Sequence, residues 1–244
     1  MNDSTYDFDT FTYSSQRSEE RRFQRQEIMQ PIEEKLWKQA NIAAANPILD
    51  IGCGIGRTTR AMAIDNPHSH IIGIDSSAKI VNLAQNSGHN LPNLDFKIGN
   101  IERLNLPDNY SDLVFIRLLI QHLDRPLTAL SEIYRVLKPG GRICILDSDD
   151  AWFSLYPEPP SFSQFRQTMA DWQQSQGGDP YVGRKLGYYL QQAGFTSINI
   201  NVETISSDRY GLETMLSWLS FGSPYISISP EIAAISTQAR QDVF

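Results

Sequence analysis

The stretch Ile48-Leu49-Asp50-Ile51-Gly52-Cys53-Gly54-Ile55-Gly56-Arg57-Thr58-Thr59 decides how this chain is read. Ile48, Leu49 and Ile51 make the apolar run of a strand buried on both faces. Gly52, Gly54 and Gly56 let the backbone turn sharply and approach a ligand closely. Thr58 and Thr59 open a helix whose first N–H groups have no partner within the helix and point back at the turn. The spacing is not that of a dinucleotide fingerprint, which needs a glycine or alanine where Arg57 stands. Asp50, just before the glycines, would repel a pyrophosphate and would suit a ligand carrying an ammonium group. On this stretch alone, a glycine turn in some other α/β domain remains open.

Outward from the turn, strands and helices alternate. The pattern predicts a helix from Arg57 to Ile64, then a second strand, His70-Ile-Ile-Gly-Ile-Asp75. Asp75 falls about 20 residues beyond the glycines, where such folds place the acid that binds ribose hydroxyls. Its alternative role is a helix N-cap, which Ser76 or Ser77 could fill instead. A helix from Ala78 to Gln85 is followed by a third strand, Leu94 to Asn100. A fourth strand runs from Asp112 to Arg117, and a helix from Leu127 to Leu137 stops at Lys138-Pro-Gly-Gly141. Arg142 to Asp147 makes a fifth strand. This rhythm argues for a parallel sheet covered by helices on both faces.

In order, Asp50-Ile-Gly-Cys-Gly-Ile-Gly56, Gly73-Ile-Asp75, Gly99-Asn100-Ile101-Glu102, Ser111-Asp-Leu-Val114 and Leu137-Lys-Pro-Gly-Gly141 resemble the successive motifs of class I S-adenosylmethionine (SAM)-dependent methyltransferases. The resemblance covers about residues 30–150. It is nearest to the small-molecule enzymes of the ubiquinone- and sterol-methylating type, whose fourth motif is similar to Phe115-Ile-Arg-Leu-Leu-Ile-Gln-His122. It implies a Rossmann-like, doubly wound, mostly parallel sheet of seven strands. It also implies SAM as methyl donor and a small-molecule acceptor methylated on N, O or C. Asp50 would face the ammonium of SAM, and the backbone through Gly52, Cys53 and Gly54 would approach the methionine part. Asp75 would hold the ribose, with Ser76 beside it. Asn100 stands where the family often has Asp and would meet the adenine amino group through its carbonyl oxygen. Ile101 would cover the adenine face, and Arg117 would line the methionine and acceptor side.

The flanks are read from composition. Residues 1–16 carry Tyr6, Phe8, Phe11 and Tyr13 among polar residues, and fit either a disordered tail or a lid that orders over a ligand. Helical spacing from Ser18 onward includes Phe23, Ile28, Ile32, Leu36 and Trp37, with Pro31 marking a kink or break. Arg22 and Gln26, one turn apart, would reach SAM if this helix closes over it, or would simply face solvent. Residues 1–40 are thus read as lid and helices, 41–150 as the SAM-binding core, 151–180 as an aromatic cap and 181–244 as the rest of the core. The cap reading rests on Trp152, Phe153, Tyr156, Phe162, Phe165 and Trp172; ordinary packing is its alternative. Phe195 to Val202 is the expected sixth strand. Only Tyr225 to Ile228 looks like a seventh, so the last strand is irregular or missing, and Gly211 to Phe221 reads as helix.

For chemistry, His122 is the candidate general base, with a structural histidine as the alternative. Asp147, Asp149 and Asp150 could hold an amine acceptor or cap the next segment. No metal set is seen. Net charge is −7 and no basic stripe is present, so a nucleic-acid partner is not expected. The longest apolar run, Leu113 to Ile120, is broken by Arg117 and is too short to span a bilayer. Two cysteines and a polar start point to a cytoplasmic protein without disulfides, monomer or homodimer. Two other classes stay in view: a SAM-binding module without catalysis, and a nicotinamide dehydrogenase, against which Asp50 and Arg57 argue.

Overall fold

The computed structural model describes residues 16–87, 91–212, 214–215 and 230–243, without the side chains of 16–27. Helix α1 (Gln16–Gln39) precedes β1 (Ile48–Ile51), α2 (Arg57–Asp65), β2 (Ile71–Asp75), α3 (Ala78–Asn86) and β3 (Leu94–Ile98). Then follow β4 (Ser111–Arg117), α4 (Pro126–Val136), β5 (Leu137–Leu146), α5 (Pro160–Ser175), α6 (Leu186–Gln192), the single turn α7 (Ser207–Tyr210) and α8 (Pro230–Val243). The order in the sheet is β3-β2-β1-β4-β5, and every pairing is parallel. The chain therefore reverses its direction of travel across the sheet between β1 and β4. In open α/β sheets the crevice at the carboxyl ends beside such a switch point is where ligands bind.

The two-residue period of the central strands divides the core. Leu49, Ile51, Ile72, Ile74, Val114 and Ile116 face one side, against Ala129, Leu130, Ile133 and Val136 of α4 and Leu186 and Leu190 of α6. Ile48, Ile71, Leu113 and Phe115 face the other, against Trp37 of α1 and Met62 and Ala63 of α2. Apolar residues on both faces are what a doubly covered parallel sheet requires. The motifs at the amino edge are structural. Lys138 Nζ lies 2.8 Å from Asp112 Oδ1, and the Ser111 hydroxyl donates to the Pro47 and Leu113 carbonyls at 2.9 and 2.8 Å.

Three expectations change. The described residues contain five strands, not seven: residues 195–202 form no ladder, and Ile200 and Val202 stand 55% and 70% exposed. The alternating pattern is that of a strand, but a strand needs a hydrogen-bonded neighbour, and among the described residues β5 pairs only with β4. Pro31 does not divide α1, which runs unbroken through it; one missing N–H is outweighed by the burial of Ile28, Met29 and Trp37. Lys138-Pro-Gly-Gly141 interrupts β5 as a bulge rather than preceding it, because Leu137 pairs with Ser111 before Arg142 pairs with Leu113. Tyr225–Ile228 and most of the expected helix to Phe221 lie outside the described residues.

Two motif glycines share one cause. A Cβ on Gly56 would stand 2.3 Å from Cζ of Phe96, and one on Gly73 2.6 Å from Cδ1 of the same ring. Phe96 thus fills the space that both leave bare, with the Arg60 guanidinium 5.1 Å from its centre. Gly56 also has φ of 77°. Gly56→Ala is therefore expected to lower the unfolding free energy by roughly 2–4 kcal/mol, adding left-handed strain to overpacking. Urea denaturation measures this, and pairing the change with Phe96→Ala should recover part of the loss.

Candidate functional site

The glycine turn is tied to β2. The N–H groups of Gly52 and Cys53 both donate to the Ile74 carbonyl, at 2.7 and 3.1 Å. Gly52 and Gly54 have φ of 75° and 55°, left-handed values that side chains strain to adopt. A Cβ on Gly54 would meet nothing within 4 Å, so the backbone is open to a ligand there. Asp75 closes the other side: its Oδ2 accepts from Gly54 N–H at 3.0 Å and its Oδ1 from Ser77 N–H at 3.1 Å. Ser77, not Asp75, caps α3, accepting from Ile80 N–H at 3.3 Å. Asp75 thus retains acceptor capacity for hydroxyls at the crevice, and Ser76 beside it is exposed.

Asp50 is 2% exposed. Its Oδ2 accepts from the Thr59 hydroxyl at 2.6 Å. Burial pushes the carboxyl up to about 7, opposed by the Thr59 bond and the Arg117 charge and reinforced by Glu33 and Asp75. Arg117, at the end of β4, makes an ion pair with Glu33 of α1 at 3.1 Å. Glu33 escaped the sequence reading, although the signal was there: it sits four residues from Met29 and from Trp37, inside the buried stripe of α1. Cys53 is buried, its thiol raised far above the usual range by burial, so its part in the turn is its backbone.

On the far side of β2, Asn100 is exposed and its Oδ1 accepts from Glu102 N–H at 2.8 Å, an Asx turn that leaves the second lone pair free for an amino group. Ile101 is 7% exposed and packed into the main core. Arg22 and Gln26 lie on α1 with their side chains outside the described residues, as is all of Tyr13.

The loop after β4 leans onto the turn. Leu118 has φ of 50°, and the Leu119 side chain lies where a Cβ on Gly52 would be 2.8 Å away. His122 ends the single 3-10 turn that follows, and burial pushes its imidazole down to about 4. Asp147 accepts from the N–H groups of Gln121 and Ser148 at 3.3 and 3.0 Å and so braces that loop; burial pushes it up to about 7. Asp149 is taken by Arg184, whose Nε and Nη2 donate at 2.6 and 2.8 Å, and it caps the next turn through Ala151. Asp150 is raised by burial. The aromatic segment divides: Phe162 and Phe165 pack with Ala239 of α8, while Trp152 and Tyr156 are 68% and 98% exposed. A cleft of about 340 Å³ between Leu155, Pro159, Leu212 and Val243 includes no residue of the sheet's carboxyl edge. Among the described residues no group of His, Cys, Asp and Glu could hold a metal.

Residues 49–145 match a family model described as a methyltransferase domain. The match spans the sheet from β1 to β5 and is a likeness to methyltransferase domains. It is 29% identical to an uncharacterized methyltransferase of Schizosaccharomyces pombe over 71% of this chain and 64% of that one. It is 34% identical to a ubiquinone/menaquinone biosynthesis C-methyltransferase of Hydrogenovibrio crunogenus over 54% of this chain and 55% of that one. The chain thus spans less than two thirds of the length of these curated relatives. A SAM-dependent methyltransferase from Aquifex aeolicus shares the fold, with TM-score 0.55 and 22% identity over 75% of this chain and 90% of that one. The site has the features SAM would need: bare backbone at Gly54 lies between a buried carboxylate and one with acceptor capacity to spare.

The raised Asp50 carboxyl has two consequences. Its folded pKa, about 7, exceeds the ordinary value of about 3.9. Its contribution to stability is therefore full below about pH 4 and lost as pH rises through about 7. Asp50→Asn should raise the melting temperature of the ligand-free protein at alkaline pH, with the gain vanishing toward pH 4, while SAM binding is lost. Calorimetric unfolding across pH and SAM titration check both. If Asp50 takes the ammonium of SAM, SAM affinity in the wild type should fall as pH drops below about 7, because an ammonium needs the ionised form.

Proposed function

We propose that this chain transfers a methyl group from SAM to a small-molecule acceptor bound at the carboxyl edge beyond β4 and β5. The observation that carries the reading is the open Gly54 backbone framed by Asp50 and Asp75 at the switch point of the sheet. Asp50 would take the ammonium and Asp75 the ribose hydroxyls, with Asn100 toward the adenine and Arg117 toward the methionine carboxylate. The bound cofactor supplies an already activated methyl group. What remains for the chain is to hold the donor in line with a nucleophile and to keep water out.

The loop from Leu118 to His122 supports the acceptor side, since it leans on the glycine turn and is braced by Asp147. His122 is the proposed base for an acceptor that must lose a proton. At about 4, its imidazole is neutral at pH 7 but gives a strong conjugate acid, so it would serve an acceptor acidified in the site and not an unactivated hydroxyl. Residues 151–180 are proposed as a wall for an apolar part of the acceptor. The protein is proposed to act in the cytoplasm, which the two buried free cysteines support. No described helix is long and apolar enough to cross a membrane.

Asp75→Ala is expected to weaken SAM binding about 100-fold, two hydrogen bonds to a charged acceptor being lost, with circular dichroism unchanged; unchanged affinity would show the ribose role to be wrong. Isothermal titration with SAM, S-adenosylhomocysteine and NAD separates this reading from a dehydrogenase. Incubation with labelled SAM and candidate amines, phenols and quinols separates it from a binding module. His122→Gln should lower turnover at least tenfold at unchanged SAM affinity if the imidazole takes the proton.

A further inference from the structure

Glu33 is a buried carboxylate that the reading above does not use, and burying one is costly unless it is paired. It is 0% exposed. Four residues along a helix advance about 6 Å, and two along a strand about 6.6 Å. The buried stripe of α1 uses this match. Trp37 meets Phe115 edge-on, with ring centroids 6.0 Å apart. Four residues toward the helix N-terminus, Glu33 Oε1 accepts from Nη1 of Arg117 at 3.1 Å, two residues farther along β4. Helix α1 therefore runs antiparallel over β4, and from Glu33 it continues toward its N-terminus past the end of that strand. The first turn of α2 joins the arrangement from below. Thr58 Oγ1 lies 3.5 Å from Glu33 Oε2, and Thr59 Oγ1 donates to Asp50 at 2.6 Å.

We infer that Glu33 is a positioning residue of the donor site: by gripping Arg117 it docks α1 on the end of β4 and holds the guanidinium away from Asp50, leaving Asp50 to the ligand's ammonium and Arg117 to its carboxylate. The inference rests on the donor-site reading above. The groups that face Asp50 are Thr59 of α2, Arg117 of β4, Glu33 of α1 and Asp75 of β2, with the Cys53 thiol beside it held neutral by burial. Arg117 and Glu33 act on Asp50 with opposite sign. Without Glu33, a negative charge is gone and Arg117 can turn onto Asp50. Both changes favour the ionised carboxylate in the empty site and set Arg117 in competition with the incoming ammonium.

The test uses the full chain as wild type, Glu33→Gln and Glu33→Asp. SAM affinity is measured by calorimetry across the neutral pH range, and the Asp50 carboxyl carbon is titrated by NMR without ligand. Glu33→Gln should weaken SAM about tenfold at neutral pH, the size of an ordinary coupling between sites. It should raise the KM for SAM more than it lowers kcat, and move the Asp50 titration to lower pH. Glu33→Asp, with the charge on a shorter arm, should recover part of each effect. A Glu33→Gln protein that melts earlier yet binds SAM like the wild type, with Asp50 titrating unchanged, overturns the inference and makes Glu33 purely structural. Should Glu33→Gln not fold, Arg117→Lys decides. It keeps the charge and loses the fork, so a comparable loss of SAM affinity supports the inference and wild-type affinity overturns it. Wild-type protein that binds no SAM at any pH is a separate result, the failure of the donor-site reading and of this inference with it.

Discussion

The constraint on which the rest of the molecule depends is the burial of Asp50. A carboxylate 2% exposed at the end of a central strand is costly to keep ionised. The surroundings only partly meet that cost: the Thr59 hydroxyl and the Arg117 charge favour the anion, while Glu33, Asp75 and desolvation oppose it. The ligand-free site is thus poised near the point where its key acid changes charge. Under the proposed function, an incoming ammonium completes the pairing that the chain leaves unfinished, and affinity for it comes from withholding stability from the empty protein, a trade-off common at functional sites.

The same economy appears in the backbone. Left-handed backbone gathers at the carboxyl ends of β1 and β4, at Gly52, Gly54 and Gly56 and at Leu118. At the amino edge, by contrast, Ser111, Asp112 and Lys138 spend their hydrogen bonds on closing the sheet. Motifs that look alike in sequence therefore do different work at the two ends of the strands: one end is fastened, the other left open to a ligand.

Much of this was legible in the chain itself. The five parallel strands, their helices and the placing of Asp50, Asp75 and Asn100 follow from period, turn chemistry and spacing. Gly73 was legible only as part of a motif; its cause, the ring of Phe96 on the neighbouring strand, is a tertiary contact that no local rule contains. Residues 195–202 misled for the same reason. Alternation reports which face a segment could bury, not whether a partner strand is present. Of the kink or break that Pro31 suggests, the break does not occur, because helix propensity is a weak prior against a buried face. Glu33 broke an apolar stripe in plain view, yet a lone acid in such a stripe has no meaning until Arg117 is known to stand opposite.

That pairing alters how the front of the chain relates to the chemistry. If α1 were held by apolar contacts alone, sliding it along β4 would cost little in specificity. An ion pair with Arg117, backed by Thr58, fixes the register of α1 against the end of β4. Register at that point sets where the helix lies relative to the carboxyl end of β4. The guanidinium that anchors the helix also favours the ionised form of Asp50. Docking of α1 and the charge state of the donor site are therefore coupled through one side chain. A ligand that rearranges charge at Asp50 acts on the helix as well, and by reciprocity any change in how α1 sits is felt at the donor site.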